Sequence, residues 1–292
     1  MATLREIVRR QSVRRFEIQR VGVGADSAAS ADTDIVATEE PLEIRLAYSR
    51  PDGAGRAEQS ISITMRTPGN DEELAVGFLF TEGIIATQSD VASVGPCGPP
   101  ADNGLVNVVR VELADDVAVD LDRLERHFYT SSSCGVCGKA SIEAVAVQGR
   151  FDLHADATRV SRAILAALPG KLMTAQSVFA ETGGLHASGL FDTHGEFLAV
   201  REDVGRHNAL DKLIGSRLKS NSVPLTGLGI VLSGRASFEL LQKAMVAGCP
   251  IIAAVGAPSS LAVELAAEFG MTLVGFLKSD RFNAYSRADR IF

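Results

Sequence analysis

The last third of the chain alternates short apolar runs with amphipathic stretches in a single order: a strand over Gly229 to Leu232, a helix over Phe238 to Ala247, a strand over Ile251 to Val255, a helix over Ser259 to Phe269 and a strand over Thr272 to Leu277. A βαβαβ order with glycine-bounded strands admits few folds. Parallel strands require crossover helices, those helices must cover the sheet, and ligands collect in crevices beyond the carboxyl ends of the strands. Here those ends are Ser233 to Ser237, Gly256 to Ser260 and Lys278 to Arg281. The pattern predicts an α/β fold with a mostly parallel sheet in its C-terminal part.

Upstream, Leu42 to Ala47 and Ser60 to Met65 read as strands of a hairpin turning at Pro51-Asp52-Gly53, where proline presets one dihedral and glycine accepts positive φ. Asn70 or Asp71 is placed to cap a helix with Leu74, Phe78 and Leu79 on one face, ending near Gly83. Gly95 to Asn103 reads as loop, Leu105 to Leu113 as a strand and Ser141 to Val147 as a short helix. Arg162 to Leu168 reads as a helix that Pro169-Gly170 terminates. Thr193-His194-Gly195 signals a second hairpin, and Leu210, Leu213, Ile214 and Leu218 form the apolar stripe of a helix from about Arg206.

The segment Val21 to Thr38 shows no periodicity and follows a start carrying Arg5, Arg9, Arg10, Arg14, Arg15 and Arg20, so it reads as a mobile tether, with the fold beginning near Ile35. The expected organisation is a mobile basic segment (1–34) and one domain (35–292). That domain comprises a β-rich part (35–127), a flexible cysteine loop (128–140) and an α/β part (141–292).

A balance of 29 Lys plus Arg against 36 Asp plus Glu, net −7, argues against a protein that grips nucleic acid by neutralising phosphates. The richest apolar run, Ile251 to Ala257, is far shorter than the roughly 18–20 residues of a membrane helix, and the arginine-rich start lacks the apolar core of an export signal. A cytoplasmic protein is expected. In that reducing setting, four cysteines among 292 residues are no disulfide scaffold, and a close pair points to chemistry or metal.

The close pair is Cys134-Gly-Val-Cys137, inside Ser131-Ser-Ser-Cys-Gly-Val-Cys-Gly-Lys139. A zinc site needs two further ligands, and Cys97, Cys249, His127 and His207 are scattered singly. A thioredoxin-type pair sits in an N-terminal βαβ unit, whereas here the parallel units begin more than ninety residues later. Glycines and serines are poor core material, which disfavours a purely structural pair. A thiolate on a mobile arm is the fourth competing reading, beside a zinc site that the scattered ligands leave open but under-supported. Such a sulfur reaches a donor and then an acceptor, and Lys139 with a helix start near Gly138 would raise its thiolate fraction.

Other candidates lie downstream. His186, in Thr182-Gly-Gly-Leu-His186-Ala-Ser188, echoes the H-x-E half of the zinc deaminase signature, but Ser188 replaces the Glu and no P-C-x-x-C follows. The segment Arg201 to Lys212 packs seven ionisable groups at a helix start. It reads equally as a solvated face or as an anion site built on Gly205, Arg206 and His207. Ser233-Gly-Arg235-Ala-Ser237, between strand and helix, offers backbone N–H groups, hydroxyls and an arginine, without Walker spacing. Gly256-Ala-Pro-Ser-Ser260 is a similar loop, and Lys278-Ser-Asp-Arg281 adds cations on the same rim.

Taken in order, Thr67-Pro-Gly-Asn-Asp71, Phe78-Leu-Phe-Thr-Glu-Gly83, the Cys134-Gly-Val-Cys137 loop, Thr182-Gly-Gly-Leu-His186, Asp203-Val-Gly-Arg-His-Asn208, Ser233-Gly-Arg-Ala-Ser237 and the Phe276 to Tyr285 tail resemble the formate dehydrogenase accessory (FdhD) family from about Ile35 onward. The resemblance implies a three-layer α/β/α fold similar to cytidine deaminases and a homodimer. It implies a sulfurtransferase that takes persulfide sulfur from a cysteine desulfurase onto Cys134 or Cys137. The acceptor substrate would be the molybdenum bis(molybdopterin guanine dinucleotide) needed by the formate dehydrogenase catalytic subunit, with no permanent metal. By the same resemblance the cofactor lies along Phe276, Leu277, Lys278, Ser279, Asp280 and Arg281, to which our reading adds His186, Arg206, His207, Ser233 and Arg235. The competing readings are a non-catalytic chaperone for the same cofactor and, more distantly, a zinc-dependent hydrolase.

Overall fold

The computed structural model describes residues 11–23, 29–50, 53–117, 119 and 150–292. The loop bearing Cys134 and Cys137 and the short helix expected over Ser141 to Val147 lie outside these residues.

The N-terminal half is built on a four-stranded sheet of order β4-β3-β6-β5, formed by β3 (Glu40–Ser49), β4 (Arg56–Arg66), β5 (Val91–Pro96) and β6 (Val108–Leu113). The expected hairpin is the antiparallel pair β3–β4, and β6 joins β3 in parallel. Leu42, Ile44 and Leu46 point inward, while Arg45 and Arg110 pair with Glu43, Glu58 and Glu112 nearer solvent. This is the alternation of a sheet with one wet face. Helix α1 (Asp71–Thr81) covers the inner face. Its start differs in detail from the expected cap. Asn70 is left-handed and its side chain caps nothing, while the carboxylate of Asp71 accepts two 3.0 Å hydrogen bonds from the buried Arg66 guanidinium.

The segment expected to be a tether is partly strand. β1 (Val13–Arg20) and β2 (Ser30–Ala37) form an antiparallel two-stranded ribbon. Its residues are exposed on both faces almost throughout, so the sequence had no one-sided burial to encode and shows no period.

The C-terminal half is a six-stranded sheet of order β12-β11-β10-β9-β7-β8, from β7 (His186–Phe191), β8 (Phe197–Asp203), β9 (Gly229–Leu232), β10 (Ile251–Ala254), β11 (Thr272–Gly275) and β12 (Asn283–Ser286). The expected βαβαβ unit is present, and β9, β10 and β11 are parallel. The sheet as a whole is mixed rather than mostly parallel. The β7–β8 hairpin, which turns on Gly195 at φ 79°, and the returning β12 attach antiparallel at its two sides. Short connections reverse a chain and add antiparallel strands without a crossover helix.

Along the central strands the faces separate cleanly. Ile230, Leu232, Ile252, Ala254 and Leu273 pack with α4 (Arg206–Lys219), α5 (Phe238–Val246) and α6 (Ser260–Glu268). Val231, Ile251, Ala253 and Val274 pack with α2 (Arg162–Ala175) on the opposite face. Helix α2 does not stop at Pro169-Gly170 as expected. Leu165, Leu168 and Leu172 continue one buried stripe across the proline, and their burial outweighs the lost N–H and ring clash of about 3 kcal/mol. The helix ends at Ala175 with Gln176 as its C-cap and is followed by the single turn α3 (Phe179–Thr182).

Helices α1 and α4 join the halves at a backbone-close crossing. A Cβ on Gly77 would stand 1.9 Å from the carbonyl oxygen of Asp211, and one on Gly215 would stand 1.9 Å from that of Glu73.

Candidate functional site

The carboxyl ends of β9, β10 and β11 line one edge of the large sheet, where their loops are laced by backbone hydrogen bonds. Gly256 N donates to Gly234 O at 2.9 Å, Phe276 N to Gly256 O at 3.0 Å, Ala236 N to Ala257 O at 3.1 Å and Ser259 N to Ala236 O at 3.0 Å. Strand β7 runs antiparallel to β9, so its first residue, His186, arrives beside this edge. Ser233 fastens the junction: its amide donates to Ala187 O at 3.0 Å and its hydroxyl accepts from Ala187 N at 2.8 Å. A Cβ on Gly234 would come within 3.2 Å of His186 Nδ1, so this glycine leaves room for the imidazole.

The ionisable segment Arg201 to Lys212 divides between two roles. Asp203, fully buried, accepts from Thr67 N at 3.1 Å, Gly205 N at 2.8 Å and Asn208 Nδ2 at 3.2 Å, and pairs with Lys212 at 2.6 Å. Lys212 Nζ also donates to Thr67 O at 2.8 Å. Asp211 takes the hydroxyl of Thr81 at 2.8 Å and the ammonium of Lys243 at 3.1 Å, and Lys243 also holds Glu82 at 3.0 Å. These are structural locks between the halves. Burial pushes the Asp211 carboxyl up to about 6 against the pull of Lys243, while Asp211 and Glu82 overrule burial and keep Lys243 charged.

Arg206 and His207 face the strand-end rim instead. His207 Nε2 lies 3.4 Å from the Ser237 hydroxyl, which caps no amide of α5. Burial first, then the charges of Arg206 and Lys243, push the His207 imidazole down to about 4, and burial and Arg206 also lower His186. The His207 ring is therefore neutral at pH 7 and acts as a hydrogen-bonding group, not a cation, and the shift at His186 runs the same way. Among the described residues the buried Arg206 Nε has no hydrogen-bond partner.

This geometry has a testable pH consequence. A histidine in the unfolded chain binds its proton near 6.5, whereas folded His207 does so only near 4. The stability it contributes is therefore complete above pH 6.5 and is lost as pH falls toward 4. Asp211 acts in the opposite sense from 6 down to 3.8, so only a comparison isolates His207. In thermal melts between pH 7 and 4, His207→Gln should lose less stability than the parent. Parallel curves would show that His207 is not desolvated.

The last strand's exit places the remaining candidates. Phe276 is half-exposed in a left-handed conformation, φ 51°. Leu277, expected among the cofactor contacts, is wholly buried in the core beneath α2, so its side chain anchors the segment and only its backbone faces the edge. Lys278, Ser279, Asp280 and Arg281 are exposed on a turn closed by Lys278 N to Arg281 O at 2.9 Å, with Asp280 paired to Arg281 at 3.4 Å. Arg235 is exposed against Gly256.

Beside this edge lies a cleft of about 530 Å³ that the sequence reading missed. Gln176 and Phe179, from the end of α2 and from α3, form its wall, and His186, Ser233 and Val255 form its floor. Glu202 fixes the wall, its carboxylate accepting from Val178 N at 3.1 Å and Phe179 N at 2.8 Å. With the helix expected to end at Pro169, residues 171–181 carried no assignment. The signal available was the continuing stripe to Leu172.

Among the described residues, no group of three or more His, Cys, Asp or Glu side chains is placed to hold a metal, and no helix is long and apolar enough to cross a membrane. Cys249 is a packed thiol, 3.4 Å from Ile251 O and pushed up to about 12 by burial. Cys134 and Cys137 lie outside the described residues.

Residues 37–292 match the FdhD/NarQ family. The chain belongs to that family. It is 52% identical over 265 residues to a protein of Mycolicibacterium paratuberculosis named "Sulfur carrier protein FdhD", covering 90% of this chain and 94% of that one. It is 42% identical to a protein of the same name from Sulfurisphaera tokodaii, covering 94% and 100%. A crystal structure of a candidate formate dehydrogenase accessory protein from Desulfotalea psychrophila superposes with a TM-score of 0.69 at 24% identity, over 95% of this chain and 99% of that one. The strand-end edge and the cleft lie within the residues that match the family.

Proposed function

We propose that this chain is a sulfur carrier in formate dehydrogenase maturation, receiving sulfur as a cysteine persulfide and passing it to a molybdenum-bound guanine dinucleotide substrate. In the first step a thiolate of Cys134 or Cys137 attacks the outer sulfur of a cysteine desulfurase persulfide. The new S–S bond forms on this chain, and the desulfurase leaves as its own thiolate. In the second step the carrier's S–S bond breaks as its outer sulfur bonds to the molybdenum substrate, which, in a reduced state, supplies the two electrons that bring this sulfur to the sulfide level, and the inner sulfur leaves as the regenerated carrier thiolate.

The observation that carries this reading is the laced strand-end edge in a chain whose relatives are named sulfur carriers. Exposed Arg235, Lys278 and Arg281 on that rim suit pyrophosphate groups. The stacking of α2, sheet and α4 to α6 supports a cytidine deaminase-like layering. A homodimer, a cytoplasmic setting, and a desulfurase and the formate dehydrogenase catalytic subunit as partners complete the proposal.

Mass spectrometry of the chain after incubation with an active desulfurase and free cysteine tests it. One added sulfur, lost on reduction and mapped to Cys134 or Cys137, is expected. It should disappear in the Cys134→Ser or the Cys137→Ser variant. No added sulfur would leave the carrier role without a carrier, and a double-serine variant that still matured formate dehydrogenase would make the chain a cofactor chaperone.

A further inference from the structure

The ribbon β1–β2 is an incomplete sheet. Its two strands have no further strand partner among the described residues, and both faces are exposed almost throughout. A lone two-stranded ribbon is marginally stable at best in water and needs a third strand or a packed surface. Among the described residues this one is held at its base. Thr38 N donates to Ser12 O at 2.8 Å, the Ser12 hydroxyl donates to Pro68 O at 2.8 Å, and β2 runs beside α3. That leaves β1 as the outer strand, with Phe16 near its middle 50% exposed.

The charge on β1 selects what can add to it. A chain of net −7 places Arg5, Arg9, Arg10, Arg14, Arg15 and Arg20 near its start against only Glu6 and Glu17, and no step of the sulfur chemistry uses them. β1 carries Arg14, Arg15 and Arg20 against Glu17, whereas β2 carries Asp32 and Asp34. The ribbon is therefore polarised, with its cationic strand outermost. Arg14 and Arg20 pair with Glu40 and Asp32 at 2.6 Å each, while the exposed Arg15 forms no ion pair among the described residues. Directly opposed side chains on neighbouring strands attract or repel by sign, so a charged edge turns away strands of like charge and admits those of opposite charge. Two copies of β1 laid edge to edge would set net positive charge against net positive charge. An acidic strand meets no such repulsion.

We propose that β1 is a docking strand to which an extended, acidic segment of a partner protein adds as a third strand. Its backbone pairs with the free edge, its carboxylates lie beside the arginines and an apolar residue covers Phe16. The position bears on function. A Cβ on Gly184 would stand 3.7 Å from that of Ala37, at the end of β2, and Gly184 lines the cleft beside the strand-end edge. A partner held on the ribbon is held next to that edge. This goes beyond the sulfur-carrier reading and does not depend on it.

Fluorescence anisotropy of the full chain with dye-labelled peptides, matched in length to the 8 residues of β1, tests the proposal. The probes are a peptide of alternating glutamate and valine, its lysine–valine counterpart, and the glutamate–valine peptide methylated at every backbone nitrogen. Methylation keeps the charges and removes the donors that a strand needs. At about 0.15 M salt the first peptide should bind, and the other two should bind about tenfold or more weakly. Arg15→Glu should weaken the first peptide about fivefold or more, Arg15→Lys should restore most of the loss, and Phe16→Ser should also weaken it. Both side chains are exposed, so the variants should melt with the parent. Equal binding of the methylated and unmethylated peptides would overturn the proposal, since it marks a cationic patch without strand pairing. No binding at millimolar concentration would do the same, as would equal binding by parent and Arg15→Glu. A dimer in sedimentation that Phe16→Ser abolishes would instead give the ribbon to a second copy, and binding to phosphatidylglycerol vesicles that Arg15→Glu abolishes would give it to a lipid surface; either result refutes a protein strand as occupant. Sulfur loading of Cys134 and Cys137 is read separately. A parent that takes sulfur but ignores the peptide overturns this proposal alone, and one that binds the peptide but takes no sulfur sinks only the carrier reading.

Discussion

Lys212→Met should cost the fold about 3–5 kcal/mol, the usual penalty for stranding one partner of a buried ion pair. The Lys212 and Asp203 side chains are 2% and 0% exposed and 2.6 Å apart. Without the ammonium, the Asp203 carboxylate keeps three neutral N–H donors and no cation, and the carbonyl of Thr67 loses a donor. The damage falls on the joint between Thr67, at the end of the N-terminal sheet, and the start of α4, which presents Arg206 and His207. Urea unfolding measures it. A pair-removing double variant, Asp203→Asn with Lys212→Met, should recover part of the loss, because no buried charge is left alone. A single-variant loss below about 1 kcal/mol would put the pair in the class of exposed ion pairs and refute its burial.

Gly215→Ala should destabilise by about 3 kcal/mol or more, the upper range of overpacking penalties. Within a helix the same change is favourable by about 1 kcal/mol, so the sign of the result is diagnostic. The added methyl carbon would sit 1.9 Å from the carbonyl oxygen of Glu73 and 2.8 Å from the amide of Gly77. Both obstacles are backbone and cannot rotate away, so α1 and α4 must separate. Separation would loosen the core shared by Leu74, Leu210 and Ile214 and strain the Thr81–Asp211 hydrogen bond. Gly77→Ala should behave alike, its Cβ meeting the carbonyl of Asp211. An unchanged or raised melting temperature would mean that the helices do not cross this closely.

The parallel core β9–β10–β11 was legible because each strand is wholly buried and, Thr272 apart, apolar, and each intervening helix carries its own stripe, so local pattern and burial agree. The β3–β4 hairpin and the α1 span were legible for the same reason. The ribbon β1–β2 was not, since strands exposed on both faces leave no hydrophobic period to read. Pro169 misled because a local breaking rule was followed where Leu172, one turn beyond, is buried. That misreading hid Gln176 and Phe179, and with them the cleft.

The amino-acid order by itself determined the α/β character, the loops at the strand ends, and the Cys134-Gly-Val-Cys137 motif, because these depend on neighbours along the chain. Only the tertiary structure decided which charged residues are locks and which face the rim. Asp203, Asp211 and Lys212 look no different in sequence from Arg206 and His207 until Thr67, Thr81 and Lys243 arrive from distant segments to bury them. Desolvation and pairing are set by what packs against a side chain, and the packing partners here lie 32–145 positions away in sequence yet at hydrogen-bonding distance in space; Asp211 and Lys243 span the smallest of these separations, Thr67 and Lys212 the largest.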